Sequence, residues 1–256
     1  MNLTIILRTH DGNNVHEPER LRYCGESKSK VMLKCVKSLL ASVSTLRNIC
    51  YNVVWIDDHS KESSLSEIKS YFYDYNITYE LVNLEKFGNN ASMVKQLEIA
   101  KQSTSDLVYL VEDDYLHCKS AVPEMVDSYI EFKNNLDSEV AIHPFDDPDN
   151  YKPNFIELTR IVLGQNRHWR LNCYSTFTFM CNPDIIRENW DSFYKMAYLY
   201  MTPFGNAYNI HEGTTINKIW RENVYLFTPI PSVALHMQFD EQKDKYINWK
   251  KWWEEN

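Results

Sequence analysis

Short aliphatic runs alternate with longer amphipathic stretches through the first half of the chain. Leu3 to Leu7 is largely apolar and strand-like, and Ser29 to Leu46 places Val31, Cys35, Leu39 or Leu40 and Val43 on one helical face. Asn52 to Ile56 returns to a strand, Ser63 to Phe72 aligns Leu65, Ile68 and Phe72 as a helix, and Ile77 to Val82 is a third strand. Ala91 to Lys101 then turns Val94, Leu97 and Ile99 or Ala100 inward, ahead of the apolar run Leu107 to Val111. Strand and helix in strict alternation predict an α/β protein with a mostly parallel, doubly wound central sheet flanked by helices. In such sheets ligands lie beyond the carboxyl ends of the strands.

Polar residues gather at those ends. Arg8, Thr9, His10 and Asp11 follow the first strand, Asp57, Asp58 and His59 the second, and Glu112, Asp113 and Asp114 the fourth. Three adjacent carboxylates repel one another, so the last cluster is most stable with a cation among them. A solvated acidic turn is the ordinary alternative, but strand capping alone does not require three such clusters with two double-acid pairs.

Composition narrows the class. The chain has 256 residues, 44% hydrophobic and 14% aromatic, enough to bury the core of one large domain. No apolar stretch is long enough to span a bilayer, and Met1 to Arg8 lacks the pattern of a signal segment, so a soluble, cytoplasmic protein is expected. The six cysteines have no CxxC spacing, which disfavours a zinc site and fits reduced thiols. A net charge of -8 disfavours general binding to nucleic-acid backbones. The six glycines form neither GxGxxG nor GxxxxGK, so a glycine loop is not the means of holding a phosphate and a metal ion is its natural counter-charge.

The order Ile5-Ile6-Leu7-Arg8-Thr9, Val53-Val54-Trp55-Ile56-Asp57-Asp58-His59-Ser60, Gly88-Asn89-Asn90-Ala91-Ser92 and Val111-Glu112-Asp113-Asp114 resembles the nucleotide-sugar half of family 2 type glycosyltransferases with the A-type fold. The resemblance covers residues 3 to 115 well and the rest more loosely. It implies a Rossmann-like fold with a smaller acceptor-side sheet, in a single domain over 1–256 with a nucleotide-sugar-binding half, 1–115, and an acceptor half, 116–256. It implies a nucleotide-sugar donor near Thr9, Asp11 and Asn90, with Asp57 or Asp58 accepting a hydrogen bond from the base and His59 in place of the usual glycine. Lys95 stands where the family often has a basic residue facing the diphosphate. Glu112, Asp113 and Asp114 match the family's acidic metal motif, with Asp114 as the direct ligand.

Transfer from a nucleoside diphosphate leaves a diphosphate with added negative charge, which a divalent cation stabilises. Carboxylates suit Mn²⁺ or Mg²⁺, and a histidine tilts the choice toward Mn²⁺. Pro229 to Gln238 is similar to the family segment whose histidine completes the metal shell, which implies His236 as a ligand. Inversion needs a general base for the acceptor hydroxyl. Asn209 to Trp220 looks like the family's acid at the start of an acceptor-side helix, implying Glu212 as the base; capping of that helix is the structural alternative. The expected activity is metal-dependent, inverting transfer of one sugar, UDP donor favoured, to a hydroxyl acceptor whose class the sequence leaves open. Nucleotidyl transfer and a non-catalytic nucleotide- or carbohydrate-binding module are the alternatives.

Smaller expectations complete the reading. Asn13 to Ser27 is a polar insertion able to act as a lid. Gln165 to Arg170 has the character of a phosphate or acceptor loop, Tyr174 to Cys181 reads as a strand, and Val140 opens a strand ending at His143, Asp146 and Asp147. The terminal Asp240 to Asn256 is expected to form a short helix that packs its indoles on the body, with a membrane-surface helix as the alternative.

Overall fold

The computed structural model describes residues 1–12, 25–152, 159–199, 212–238 and 247–256, with the backbone alone for Tyr198, Leu199 and Glu212. The expected lid lies largely outside these residues, as do Asn209, Ile210 and His211. In chain order the first half contains β1 (Asn2–Thr9), α1 (Lys28–Val43), β2 (Cys50–Asp57), α2 (Glu62–Asp74), β3 (Tyr79–Asn83), α3 (Asn89–Gln102) and β4 (Leu107–Glu112). Every strand and helix expected there is present. The second half contains β5 (Tyr115–His117), α4 (Ala121–Leu136), β6 (Val140–Ile142), β7 (Ile161–Leu163), β8 (His168–Asn172) and β9 (Phe179–Cys181). It continues with α5 (Pro183–Glu188), α6 (Trp190–Leu199), α7 (Ile216–Glu222), β10 (Tyr225–Ile230), β11 (Ala234–His236) and α8 (Trp249–Glu255).

Nine strands form one sheet in the order β3-β2-β1-β4-β9-β6-β10-β8-β7, and β11 pairs with β5 in a second, two-stranded sheet. Strands β1 to β4 are parallel; β9 runs against β4 and β6, and β8 against β10 and β7. Alternation along the central strands explains how both faces are covered. Leu3, Ile5, Leu7, Val53, Trp55, Leu107, Tyr109 and Val111 pack with α1, α2 and α4. Their sequence neighbours Ile6, Val54, Ile56, Val108 and Leu110 pack with α3, α5, α6 and α7 on the other face. A third cluster joins Tyr115, Leu116, Ala234, Leu235 and Met237 to α1, with Trp249, Trp252 and Trp253 of α8 laid against it. The terminal indoles therefore cover the body. No described helix is long and apolar enough to cross a membrane.

Two segments differ from expectation. Gln165 to Arg170 belongs to the β7–β8 hairpin, closed by the Gly164 amide on the Arg167 carbonyl at 3.0 Å. Arg167 pairs with Glu124, and Arg170 with Asp146, so these cations are used within the scaffold. Of Tyr174 to Cys181 only Phe179–Cys181 is strand; Thr176 and Phe177 adopt positive φ of 42° and 63°, which breaks the run.

His117 and His143 are buried, with Nδ1 of each donating to a backbone carbonyl, of Tyr115 at 2.9 Å and of Thr178 at 2.7 Å. Burial lowers both to about 4 from an ordinary 6.5. Between those values the unfolded chain takes up protons that the folded protein refuses, so stability is full above the unfolded value and falls as pH drops below it. Each imidazole should cost roughly 2 kcal/mol at pH 5 relative to neutral pH. Urea denaturation at pH 7.5 and pH 5 should show the loss, and replacing His143 with Asn should reduce it; an unchanged pH dependence in that variant would contradict the assignment.

Candidate active site

The carboxyl ends of β1, β2 and β4 open on a cleft of about 260 Å³ lined by Arg8, Thr9, His10, Lys28, Asp58, Asn89, Ser92, Glu112, Asp113, Asp114 and Gln238. Register builds it. Arg8 lies beside Ile56 on one side and Glu112 on the other, so three strand ends meet there. Antiparallel pairing of β11 with β5 sets His236 opposite Tyr115, and the Met237 amide donates to the Asp114 carbonyl at 2.7 Å. A histidine distant in sequence is thus delivered next to the acidic strand end. Its ring stacks on Tyr115, centroids 4.8 Å apart, and Nε2 stands 3.6 Å from Asp114 Oδ1.

The three acids have different partners. Glu112 pairs with the Arg8 guanidinium through one oxygen and accepts from the Thr178 hydroxyl at 3.2 Å through the other. Asp113 pairs with the Lys28 ammonium and accepts from the His10 amide at 2.7 Å. Asp114 faces His236. Desolvation raises Glu112 above its ordinary range, with Arg8 pulling against it and Asp114 and Asp113 adding to it. Burial opposes a charge on His236, but Asp114, Glu112 and Asp147 outweigh it and raise its pKa.

The second strand end separates its two aspartates. Asp57 accepts from the Thr9 hydroxyl and the Ser60 amide, both at 2.9 Å, and so holds the turn. Asp58 lines the cleft and accepts from the Gly88 amide at 3.0 Å and from His59 at 3.0 Å. His59 has φ 59°, the left-handed conformation that glycine adopts most easily. Asp11 turns away to the open end of α2, accepting from the Lys61 amide at 2.8 Å and the Ser64 hydroxyl at 2.9 Å.

Two expected contacts move. Asn89 lines the cleft and Asn90 does not; Lys95 lies out on α3 beside Glu98 at 4.0 Å. The cations that line the cleft are Arg8 and Lys28. Arg8 was visible at a strand end, whereas Lys28, the first residue of α1, carried no sequence signal. Glu212 opens the 3-10 turn Glu212–Thr214 that leads into α7. That helix is tied toward the acidic strand end through one loop: the Trp220 indole donates to Ser175 Oγ at 3.0 Å, Thr176 bonds the Tyr115 hydroxyl at 2.5 Å, and Thr178 bonds Glu112.

A divalent ion can be tested against this geometry. Two donors each about 2.1 Å from one ion lie roughly 3.0–3.6 Å apart at angles of 90–120°, and Asp114 Oδ1 and His236 Nε2 stand 3.6 Å apart. The donor set fits. Among the described residues no group of three or more His, Cys, Asp or Glu side chains is arranged to hold a metal. An ion held by these two side chains would need phosphate and water oxygens as its further ligands, as Mg²⁺ sites commonly do.

No family model matches the chain, and no curated protein matches it. Among solved structures, the mannosyltransferase PcManGT from Pyrobaculum calidifontis, in complex with GDP-Man and Mn²⁺, matches over 90% of this chain and 55% of its own, with a TM-score of 0.51 at 15% identity. The protein has the A-type glycosyltransferase fold. Residues 1–349 of S. aureus TarS match over 78% of this chain and 56% of theirs, with a TM-score of 0.47 at 14% identity. The chain thus spans little more than half the length of these structures. At such identities the likeness concerns the A-type fold, and activity has to be argued from the cleft.

Proposed function

We propose that this protein is a metal-dependent glycosyltransferase that moves one sugar from a nucleoside diphosphate donor to a hydroxyl acceptor with inversion. The observation that carries the proposal is the meeting of Asp114, in the turn after β4, and His236, from β11, at a separation suited to one ion, with Asp114 lining the cleft where an A-type fold opens. A UDP donor is favoured; PcManGT, with the same fold, holds GDP-Man and Mn²⁺.

In this mechanism Asp58 accepts a hydrogen bond from the base, since it lines the cleft while Asp57 is committed to the turn. Asp114 and His236 would hold Mn²⁺ or Mg²⁺, which when bound neutralises charge on the departing diphosphate. His236 must be neutral, with its proton on Nδ1, to ligate through Nε2, the nitrogen that stands 3.6 Å from Asp114 Oδ1. Glu212, leading into the helix tied to the acidic strand end, takes the proton of the acceptor hydroxyl as that oxygen attacks the anomeric carbon from the face opposite the diphosphate.

A panel of UDP- and GDP-sugars incubated with protein and Mn²⁺ tests the proposal. Hydrolysis or transfer from a UDP-sugar that stops with chelator is expected, and NMR of the glycoside should show inversion. No turnover and no metal-dependent donor binding across the panel would reject it.

A further inference from the structure

A second cavity, larger than the cleft, lies at the far end of α1. It has a volume of about 430 Å³ and is walled by Ser38 and Ser44 on and just after that helix, Tyr75 at the end of α2, Lys119 after β5, and Trp252 and Glu255 of α8. Lys28, which lines the cleft, opens α1, so this cavity stands roughly 15 to 24 Å farther along the helix at about 1.5 Å per residue. Its volume falls in the range of about 300–1,000 Å³ common to small-molecule sites. The walls combine aromatic surface with polar groups that the fold leaves unspent. Trp252 and Tyr75 pack against the core as half-buried rings. Among the described residues the Lys119 ammonium, the Tyr75 hydroxyl and the Trp252 indole N–H make no hydrogen bond or ion pair. Glu255 pairs loosely with Lys251 at 3.8 Å within its own helix, and the Ser44 hydroxyl donates to the Ala41 carbonyl at 2.8 Å, which leaves its oxygen able to accept.

These groups select a ligand class. A purely apolar guest would displace water and leave Tyr75 and Lys119 unpaired, which costs free energy. A phosphate would gain Lys119 but meet the Glu255 carboxylate in the same wall. A pyranose suits both kinds of surface: its C–H face packs on an indole, while its hydroxyls accept from Lys119 and Tyr75 and donate to Ser44 and Glu255. We infer that this cavity is a saccharide-binding site, separate from the cleft, that holds a neutral sugar ring against Trp252. The inference goes beyond the transferase reading and needs neither its donor nor its metal. A sugar held there lies too far from the cleft to react, so the site would tether a glycan to the protein.

Saturation-transfer NMR and calorimetry in chelator test the site, with glucose, galactose, mannose, N-acetylglucosamine, cellobiose and maltose as probes and inorganic phosphate as the contrast. At least one sugar should bind wild-type protein. Tyr75→Phe and Lys119→Met, which keep the ring and the aliphatic stem, should each weaken that sugar several-fold, and the double variant about tenfold or more, with Tm unchanged. Asp114→Asn, which alters the cleft, should leave sugar affinity as it was. No binding by any of the sugars, binding indifferent to Tyr75 and Lys119, an equal loss in Asp114→Asn, or binding of phosphate in preference to sugar overturns the inference. If sugar binding depends on Tyr75 and Lys119 but no nucleotide sugar turns over, this site stands and the transferase reading falls. If a nucleotide sugar turns over and no sugar binds at the cavity, the transferase reading survives without it.

Discussion

Replacing Asp114 with Asn should lower sugar transfer by about a thousandfold or more while the protein stays folded. Metal ions contribute several kcal/mol of charge stabilisation at a transferring group, and each 1.36 kcal/mol is a factor of ten in rate. Asp114 is the acid whose side chain faces His236, so in the proposed mechanism its loss removes one of two protein donors. His236→Ala should act in the same direction, weakening Mn²⁺ binding as well as turnover. Ring stacking on Tyr115 makes some loss of stability part of that variant's effect, which a melting curve would separate. Glu112→Gln provides the contrast: with Glu112 committed to Arg8 and Thr178, Mn²⁺ affinity should change far less than in Asp114→Asn. Direct measurement of Mn²⁺ affinity by paramagnetic resonance decides between them. Equal losses in the two variants would mean that the ion sits elsewhere along the triplet.

Glu212→Gln should lower kcat by roughly 10² to 10⁴, the range for removal of a general base, and leave donor KM near its starting value. The expected split follows from placement. Glu212 leads into α7, whereas the cleft proposed to hold the donor is lined by the ends of β1, β2 and β4 together with Lys28, Asn89, Ser92 and Gln238. A purely capping carboxylate would behave differently, since its removal lowers stability by about 1 kcal/mol and spares kcat. Kinetics at saturating donor, read together with thermal unfolding, distinguish the two roles. Full activity in the variant would exclude Glu212 as the base.

The first half of the fold was legible because its strands are buried on both faces. Runs such as Leu3 to Leu7 and Leu107 to Val111 have no charged interruption, and the intervening helices keep one apolar stripe. Helix α4 was not read. Its apolar face, Val122, Met125, Val126, Tyr129 and Phe132, is regular, but Pro123 interrupts the pattern in sequence while sitting in the first turn, where a missing N–H costs little. The three-residue strands β5, β6, β7, β9 and β11 are too short for periodicity to mark reliably.

The candidate site divides along similar lines. Polar clusters at strand ends could be found because parallel sheets direct them to one edge, and Asp58, Glu112, Asp113 and Asp114 do line one cleft. Lys95 and Asn90 were assigned from a helix start whose rotation the sequence does not report; one position earlier, Asn89 faces the cleft. Lys28 follows a polar insertion and reaches Asp113 only through tertiary packing. Asp11 has the composition of a binding residue and the geometry of a cap, a distinction that needs the Lys61 amide in view.

The central claim is that Asp114 and His236 share one divalent ion that also holds the donor's diphosphate. Anomalous X-ray scattering from crystals grown with MnCl₂ and UDP measures this directly. A single manganese peak within about 2.3 Å of Asp114 Oδ1 and His236 Nε2, with diphosphate oxygens completing its shell, is the predicted result. Ordered UDP in the cleft with no manganese between those two side chains would contradict it.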